Sequence, residues 1–248
     1  LSLHDALPIY KLLVQRGLAP TIEKAQALIM AGEVLVDDVP VEKAGIPVSA
    51  SAEIRLRTVQ SRFVGRGGDK IDPAFDFFQI ELKDKIALDV GASTGGFTDC
   101  MLVRGAKQVY AVDVGYNQLD SRLRQDERVV VMERTHAVDL TPQMFATLPA
   151  VATVDVSFIS IKAILDPVIR CIAEEATLLL LVKPQFELPP EEIEKGGVVA
   201  SRELQLKAVE QIREFVTARG LRILSAPFPS PLRGEKAGNQ EYFLCAKK

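Results

Sequence analysis

The stretch IALDVGASTGGFTDCML, residues 86–102, constrains this chain more than any other. An apolar run of strand length breaks at spaced glycines and then resumes as an apolar helical pattern. A buried strand of a parallel sheet reads as such a run. A glycine-rich turn leading straight into a helix lets a ligand lie against bare backbone. The same alternation recurs downstream: VYAVDV before NQLDSRLRQ, AVATVDVSF before SIKAILDPVIRCIA, then TLLLLVK, SRELQLKAVEQIREFVTARG, LRILSA and EYFLCA. Strand and helix in alternation predict an α/β class, a mostly parallel sheet with helices on both faces. EYFLCAKK is expected to add an antiparallel edge strand.

With 248 residues, of which 48% are hydrophobic and 25% charged, the chain holds enough apolar material for one sizeable core and a smaller second one. No apolar run approaches the roughly 18 residues of a spanning helix, the longest being ATLLLLV over 176–182, so no membrane partner is expected. The first nine residues, LSLHDALPI, show neither a basic leader region nor a small-residue cleavage site, and no signal peptide is expected. They also fit poorly with the pattern that begins at Tyr10 and carry no part of the reading. Cys100, Cys171 and Cys245 lie far apart with no CxxC pair, which suits a reducing, cytoplasmic setting and argues against a structural zinc site. No metal is expected. A net charge of -3 provides no global basic field, so any nucleic-acid surface must be local.

Residues 10–57 form a first, small domain. Thr21 reads as a helix N-cap, Ile22, Ala25, Leu28 and Ile29 recur at helical spacing, and Gly32 supplies a left-handed stop. Val34 and Val36, then Val39 and Val41, read as two strands about an Asp37-Asp38 turn, and AEIRLR closes a small sheet. Residues 58–69 read as a linker whose three glycines make it pliable, with Arg62 and Arg66 suited to a passing phosphate backbone. The second domain covers 70–248.

In open α/β sheets ligands bind beyond the carboxyl ends of the strands. Polar residues that end apolar runs are therefore the informative ones: Asp89, Asp113, Asp155 and Lys183. The glycine spacing, Gly91, Gly95 and Gly96, lacks the GK[ST] end of a phosphate-cradling loop and is not GxGxxG, which disfavours a nucleoside triphosphate. Asp113 ends the next strand, where an acid can accept hydrogen bonds from ribose hydroxyls. Asp139 is read either as a contact to an adenine amino group or as a loop acid capping a helix near Thr141. Lys183 ends a strand that should be buried, and desolvation lowers the pKa of an ammonium there. A lysine so placed, beside a second cation such as Lys70, suits activation of a sugar hydroxyl. Asp155 and Glu241 would hold the two lysines and limit unpaired buried charge.

Residues 10–57 resemble the RNA-binding domain first known from a small-subunit ribosomal protein, which makes Arg16 and Lys24, with Arg62 and Arg66 of the linker, the expected RNA contacts. The glycine turn after Asp89-Val90 resembles the cofactor motif of class I methyltransferases. GRGGDK at 65–70, LDVGASTGGFTD at 88–99, AVDVGYNQL at 111–119, VDVSFIS at 154–160, LVKPQFE at 181–187, KGGVV at 195–199 and GNQEYFL at 238–244 together resemble the TlyA family of ribosomal-RNA methyltransferases, often labelled hemolysins. The resemblance implies a Rossmann-like class I methyltransferase domain behind a small α+β RNA-binding domain. It implies S-adenosylmethionine as cofactor, held by Asp89, Gly91, Ser93, Gly95, Gly96, Phe97, Asp113 and Asp139. It also implies the Lys-Asp-Lys-Glu tetrad of FtsJ-like ribose 2'-O-methyltransferases at Lys70, Asp155, Lys183 and Glu241, with Lys183 activating the hydroxyl. The partner implied is ribosomal RNA in ribosomal subunits, with cytidine as the target and no protein partner. The competing readings are a pore-forming hemolysin and a non-catalytic RNA-binding factor of ribosome assembly.

Overall fold

The computed structural model describes residues 6–30, 32–37, 39–41, 43–56, 62–234 and 238–248. Contacts divide the chain into two compact units, residues 1–61 and 62–248.

The first unit opens with a strand, β1 (Ala6–Pro8), followed by helices α1 (Ile9–Gln15) and α2 (Ile22–Met30). Strands β2 (Val34–Val36), β3 (Val39–Pro40), β4 (Pro47–Ser49) and β5 (Ile54–Leu56) follow. β2 lies between β3 and β5, all antiparallel, and β1 pairs with β4. Thr21 caps α2 as its sequence position predicts, its Oγ1 accepting the Lys24 N–H at 3.2 Å. Asp37 turns the chain at φ +49°, while Asp38 of the same turn lies outside the described residues. Residues 6–9, which fit poorly with the pattern in the sequence, belong to the fold. Ala6–Pro8 make a strand, and Ile9 is fully buried with its N–H donating to the Ile46 carbonyl at 3.0 Å. Too short to show a period, this segment is recruited by the core formed with Leu13, Ala25, Ile29 and Val34.

The second unit starts at Arg62, before the position 70 that its sequence suggests. Helix α3 (Arg66–Phe77) takes in residues 66–69, which were expected in the linker; residues 58–61 of that linker lie outside the described residues. Then come β6 (Ile86–Val90), α4 (Gly96–Val103), β7 (Gln108–Val112), α5 (Ser121–Arg124), β8 (Val129–Met132), β9 (Val151–Val154), α6 (Ile161–Arg170) and β10 (Thr177–Val182). α7 (Pro184–Glu187), α8 (Arg202–Thr217), β11 (Arg222–Ile223), β12 (Phe228–Pro229) and β13 (Tyr242–Lys247) complete it. The main path of the sheet runs β8-β7-β6-β9-β10-β13-β11, parallel from β8 to β10. β13 is antiparallel, as expected, but it is not an edge: β10 flanks it on one side, β11 and β12 on the other. That position explains why Tyr242 to Ala246 are all buried.

Alternate residues of the strands enter two cores, as a pleated sheet requires. Leu88, Val90 and Val154 pack toward α6 and α8, while Ala87, Val109 and Leu181 pack toward α3 and α4. Strand order reverses at β6, so the crevice between the carboxyl ends of β6 and β9 is the topological position for a ligand.

Candidate active site

A cavity of about 490 Å³ opens at those strand ends, a volume in the range of small-molecule sites. Its floor is the glycine turn. Gly91 follows β6 at φ +88°, and a Cβ there would stand 2.2 Å from the Asp155 carbonyl oxygen. The turn thus presses bare backbone against the end of β9, and the Gly91 and Ala92 N–H groups both donate to the Val112 carbonyl, at 2.8 and 3.0 Å. Gly95 takes φ +96° as the N-cap of α4, and Ser93, Gly96 and Phe97 line the cavity.

The glycines of GRGGDK serve close packing rather than pliability. A Cβ on Gly96 would lie 2.8 Å from the Gly68 nitrogen, so α3 can touch α4 only where both helices carry glycine. This contact brings Lys70 to the cavity. Lys70 is 9% exposed, and its Nζ donates to Glu241 Oε2 at 2.8 Å, across 171 residues of chain. Lys183, 8% exposed at the end of β10, faces Asp155, with Nζ and Oδ1 2.5 Å apart. All four residues line the same cavity. A buried ammonium is costly unless paired, and each lysine has its own carboxylate.

The expected cofactor residues separate into two groups. Asp113 lies at the end of β7 with its carboxylate fixed by two backbone donors, Ser93 N–H at 2.8 Å and Gly115 N–H at 2.7 Å. Val114 and Val138, on the loops after β7 and β8, are exposed. Asp139 is exposed at the end of a short turn of 3-10 helix, Ala137–Asp139, and another begins at Pro142 where a helix was anticipated. None of Asp89, Asp113 and Asp139 is among the residues that line the cavity, and Asp89 is set apart by its burial. It is fully buried, accepting from Thr98 Oγ1 at 2.7 Å and Thr153 Oγ1 at 3.1 Å, and so ties β6 to α4 and β9.

Burial pushes the Asp89 carboxyl up to about 7, against the opposing effect of the two threonine donors. A carboxyl raised on folding binds its proton more tightly in the native chain than in the unfolded one. Its contribution to stability is therefore full below about pH 4 and is lost as pH rises to about 7, at up to about 1.4 kcal/mol per unit. Asp89→Asn, which cannot titrate, is expected to flatten the fall in unfolding free energy between pH 5 and pH 7. Denaturant curves at the two pH values for both proteins check this, and equal slopes would refute it.

The basic residues expected on RNA fare unequally. The Arg16 guanidinium donates to the Ala50 and Ala52 carbonyls, at 2.7 and 2.9 Å, bracing the turn before β5, and the residue stays exposed. Arg62 pairs with Asp72 and lies over the Phe63 ring. Arg66 lines the cavity, and Lys24 stands exposed on α2.

Some residues at the site escape sequence reasoning. Ser157 Oγ accepts from Lys183 Nζ at 3.0 Å. Phe158, 77% exposed at φ +65°, faces Phe186 with ring centroids 5.4 Å apart on the cavity wall. Glu187 accepts from Ser160 Oγ and, at 2.8 Å, from the Ile161 N–H, joining α7 to the start of α6. Burial pushes its carboxyl up. The runs VDVSFIS and LVKPQFE contain these residues, but nothing local shows that the two loops meet.

Residues 63–248 match the model of the FtsJ-like methyltransferase family, and residues 7–54 match that of the S4 domain. The Bacillus subtilis protein YqxC is 46% identical over 234 residues, which is 94% of this chain and 83% of that protein. The 16S/23S rRNA (cytidine-2'-O)-methyltransferase TlyA of Mycobacterium tuberculosis is 39% identical over 236 residues, 94% of this chain and 86% of that one. A solved structure from Streptococcus thermophilus that carries a hemolysin label superposes with a TM-score of 0.77 at 37% identity, covering 98% of this chain and 89% of the other.

Proposed function

Because this chain belongs to the TlyA family of FtsJ-like methyltransferases, we propose that it transfers a methyl group from S-adenosylmethionine to the 2'-hydroxyl of a cytidine in ribosomal RNA. The observation that carries the reading is the pair of buried lysines, each matched to its own acid, on the wall of a cavity floored by the glycine turn. When bound, S-adenosylmethionine supplies a methyl group on a sulfonium sulfur, which keeps the bonding electron pair as the methyl carbon passes to the 2'-oxygen.

The chain's residues do the rest. Gly91, Ser93 and Gly96 present backbone to the methionine part of the cofactor, Asp113 accepts from its ribose hydroxyls, and Val114 and Val138 flank its adenine. Lys183, in the neutral amine form left when its ammonium gives a proton to solvent, takes the proton of the 2'-hydroxyl, leaving the oxygen its electron pair. Asp155 and Glu241 offset the charges of Lys183 and Lys70, and Lys70 adds a positive field at the developing oxyanion. The S4 domain holds folded RNA, with Lys24 a contact to the phosphate backbone. Arg16 and Arg62 keep their roles in shaping the backbone and in pairing with Asp72.

The pore-forming reading is favoured by the hemolysin label of the related Streptococcus thermophilus structure, but no feature of the site described above calls for it. Among the described residues no helix is long and apolar enough to cross a membrane. RNA binding alone has no use for a lysine enclosed with an acid beside a glycine turn. The test is incorporation of labelled methyl groups from S-adenosylmethionine into isolated small subunits, large subunits and free RNA, followed by nuclease digestion and mass analysis of the nucleosides. The expected product is 2'-O-methylcytidine; methylation on a base, or none on any RNA, would overturn the proposal.

A further inference from the structure

Asp155 and Ser157 approach Lys183 in different ways. The Asp155 oxygen nearest to Nζ, at 2.5 Å, is buried yet lacks the alignment of a hydrogen bond. It supplies charge without direction. The hydrogen bond to Ser157 Oγ, at 3.0 Å, is aligned, and among the described residues it is the one directional contact of this ammonium. Ser157 lines the cavity on the same loop as Asp155 and is held from both ends. Upstream, the Asp155 N–H donates to the Val90 carbonyl at 2.9 Å. Downstream, Ser160 and Ile161 are fastened by Glu187, four residues after Lys183 itself. The loop that carries the hydroxyl and the segment that carries the lysine are thus one assembly.

From this geometry we propose that Ser157 is a positioning residue that aims the Lys183 nitrogen at the 2'-hydroxyl. The inference rests on the reading of Lys183 as the proton acceptor. A lysine nitrogen has three equivalent tetrahedral positions and a freely rotating last bond. A Coulombic neighbour leaves that rotation loose, whereas one aligned hydrogen bond fixes one vertex. With the Ser157 vertex fixed and Asp155 beside another, the remaining vertex carries the lone pair of the neutral amine. In the proton transfer the 2' O–H bond breaks, an N–H bond forms at that lone pair, and the oxygen keeps the electrons that bond the incoming methyl carbon. A misplaced acceptor costs rate rather than affinity for either substrate.

The test compares Ser157→Ala and Ser157→Thr with the parent on whichever ribosomal subunit or RNA the parent methylates. For the alanine variant, kcat at saturating RNA is expected to fall roughly 10- to 100-fold with the KM for RNA and the Kd for S-adenosylmethionine unchanged. Threonine, which keeps the hydroxyl, is expected to restore kcat to within about threefold of the parent. Unchanged kcat in the alanine variant, or a raised KM for RNA with kcat intact, would overturn the proposal; the second result would mean that Ser157 touches RNA. Crystal structures of both variants give a readout independent of RNA methylation. Nζ should leave its place beside Asp155 in the alanine variant and keep it in the threonine variant, and an unmoved Nζ in the first would overturn the proposal. A parent enzyme inactive on every RNA would refute the methyltransferase reading, leaving the aim of Lys183 to the crystal structures.

Discussion

Lys183→Ala is expected to lower methyl transfer by about 10³- to 10⁴-fold while leaving the affinity for S-adenosylmethionine within about twofold of the parent. The size follows from the chemistry. A 2'-hydroxyl is a weak nucleophile until its proton has somewhere to go, and among the described residues the cavity offers one other lysine, Lys70, bonded to Glu241. The preserved affinity follows from geometry, because the glycine turn and Asp113 are assembled by β6 and β7 without any bond to Lys183. Removing the lysine leaves Asp155 unpaired, so some loss of stability is expected too. Single-turnover transfer with excess enzyme, together with calorimetric titration of the cofactor, separates the effects. Full turnover in the variant would remove Lys183 from the reaction, and a lost cofactor titration would make it a binding residue.

Gly91→Ala is expected to be as damaging by a different route, abolishing measurable cofactor binding and lowering stability by about 2 to 4 kcal/mol. Two penalties coincide. The φ of +88° is strained for any L side chain, and the added methyl would stand 2.2 Å from the Asp155 carbonyl oxygen, a backbone atom that cannot rotate away. Relief requires the turn to lift from β9, which takes with it the Gly91 and Ala92 donors to Val112 and the Ser93 donor to Asp113. Urea unfolding and cofactor titration check the two effects. A variant that unfolds like the parent and still titrates would show that the close approach of the turn to β9 is not needed. At Gly17, where the φ is also positive, at +69°, a Cβ meets nothing within 4 Å, so only the conformational penalty applies there.

The alternation of apolar runs with helical patterns was enough to place β6, β7, β9 and β10, since each is buried on both faces and reads as a largely apolar run. Of the four polar residues ending those runs, Asp155 and Lys183 line the cavity, and Asp113 is joined to its lining through the Ser93 N–H. Asp89 is the exception: a residue in a strand points to one of two faces, and which face meets the ligand depends on what packs against it. Here Thr98 and Thr153 turn that face into core. The early start of α3 has a similar origin, because glycine pairs read as flexible until the opposing helix that needs them is known.

From its residues alone, then, this chain determines a parallel α/β sheet, a glycine turn at its switch point and the chemical identity of Lys70, Asp155, Lys183 and Glu241. Those follow from local rules: burial pattern, turn chemistry and the cost of an unpaired charge. Which acid serves which lysine was decided only by tertiary structure. Lys70 finds Glu241 across 171 residues because β13 inserts beside β10 and α3 settles on α4. Ser157 becomes the aligned partner of Lys183 because β9 and β10 run side by side in register. Directional contacts depend on positions fixed to a few tenths of an ångström, and such precision comes from the packing of the whole unit rather than from any stretch of sequence within it.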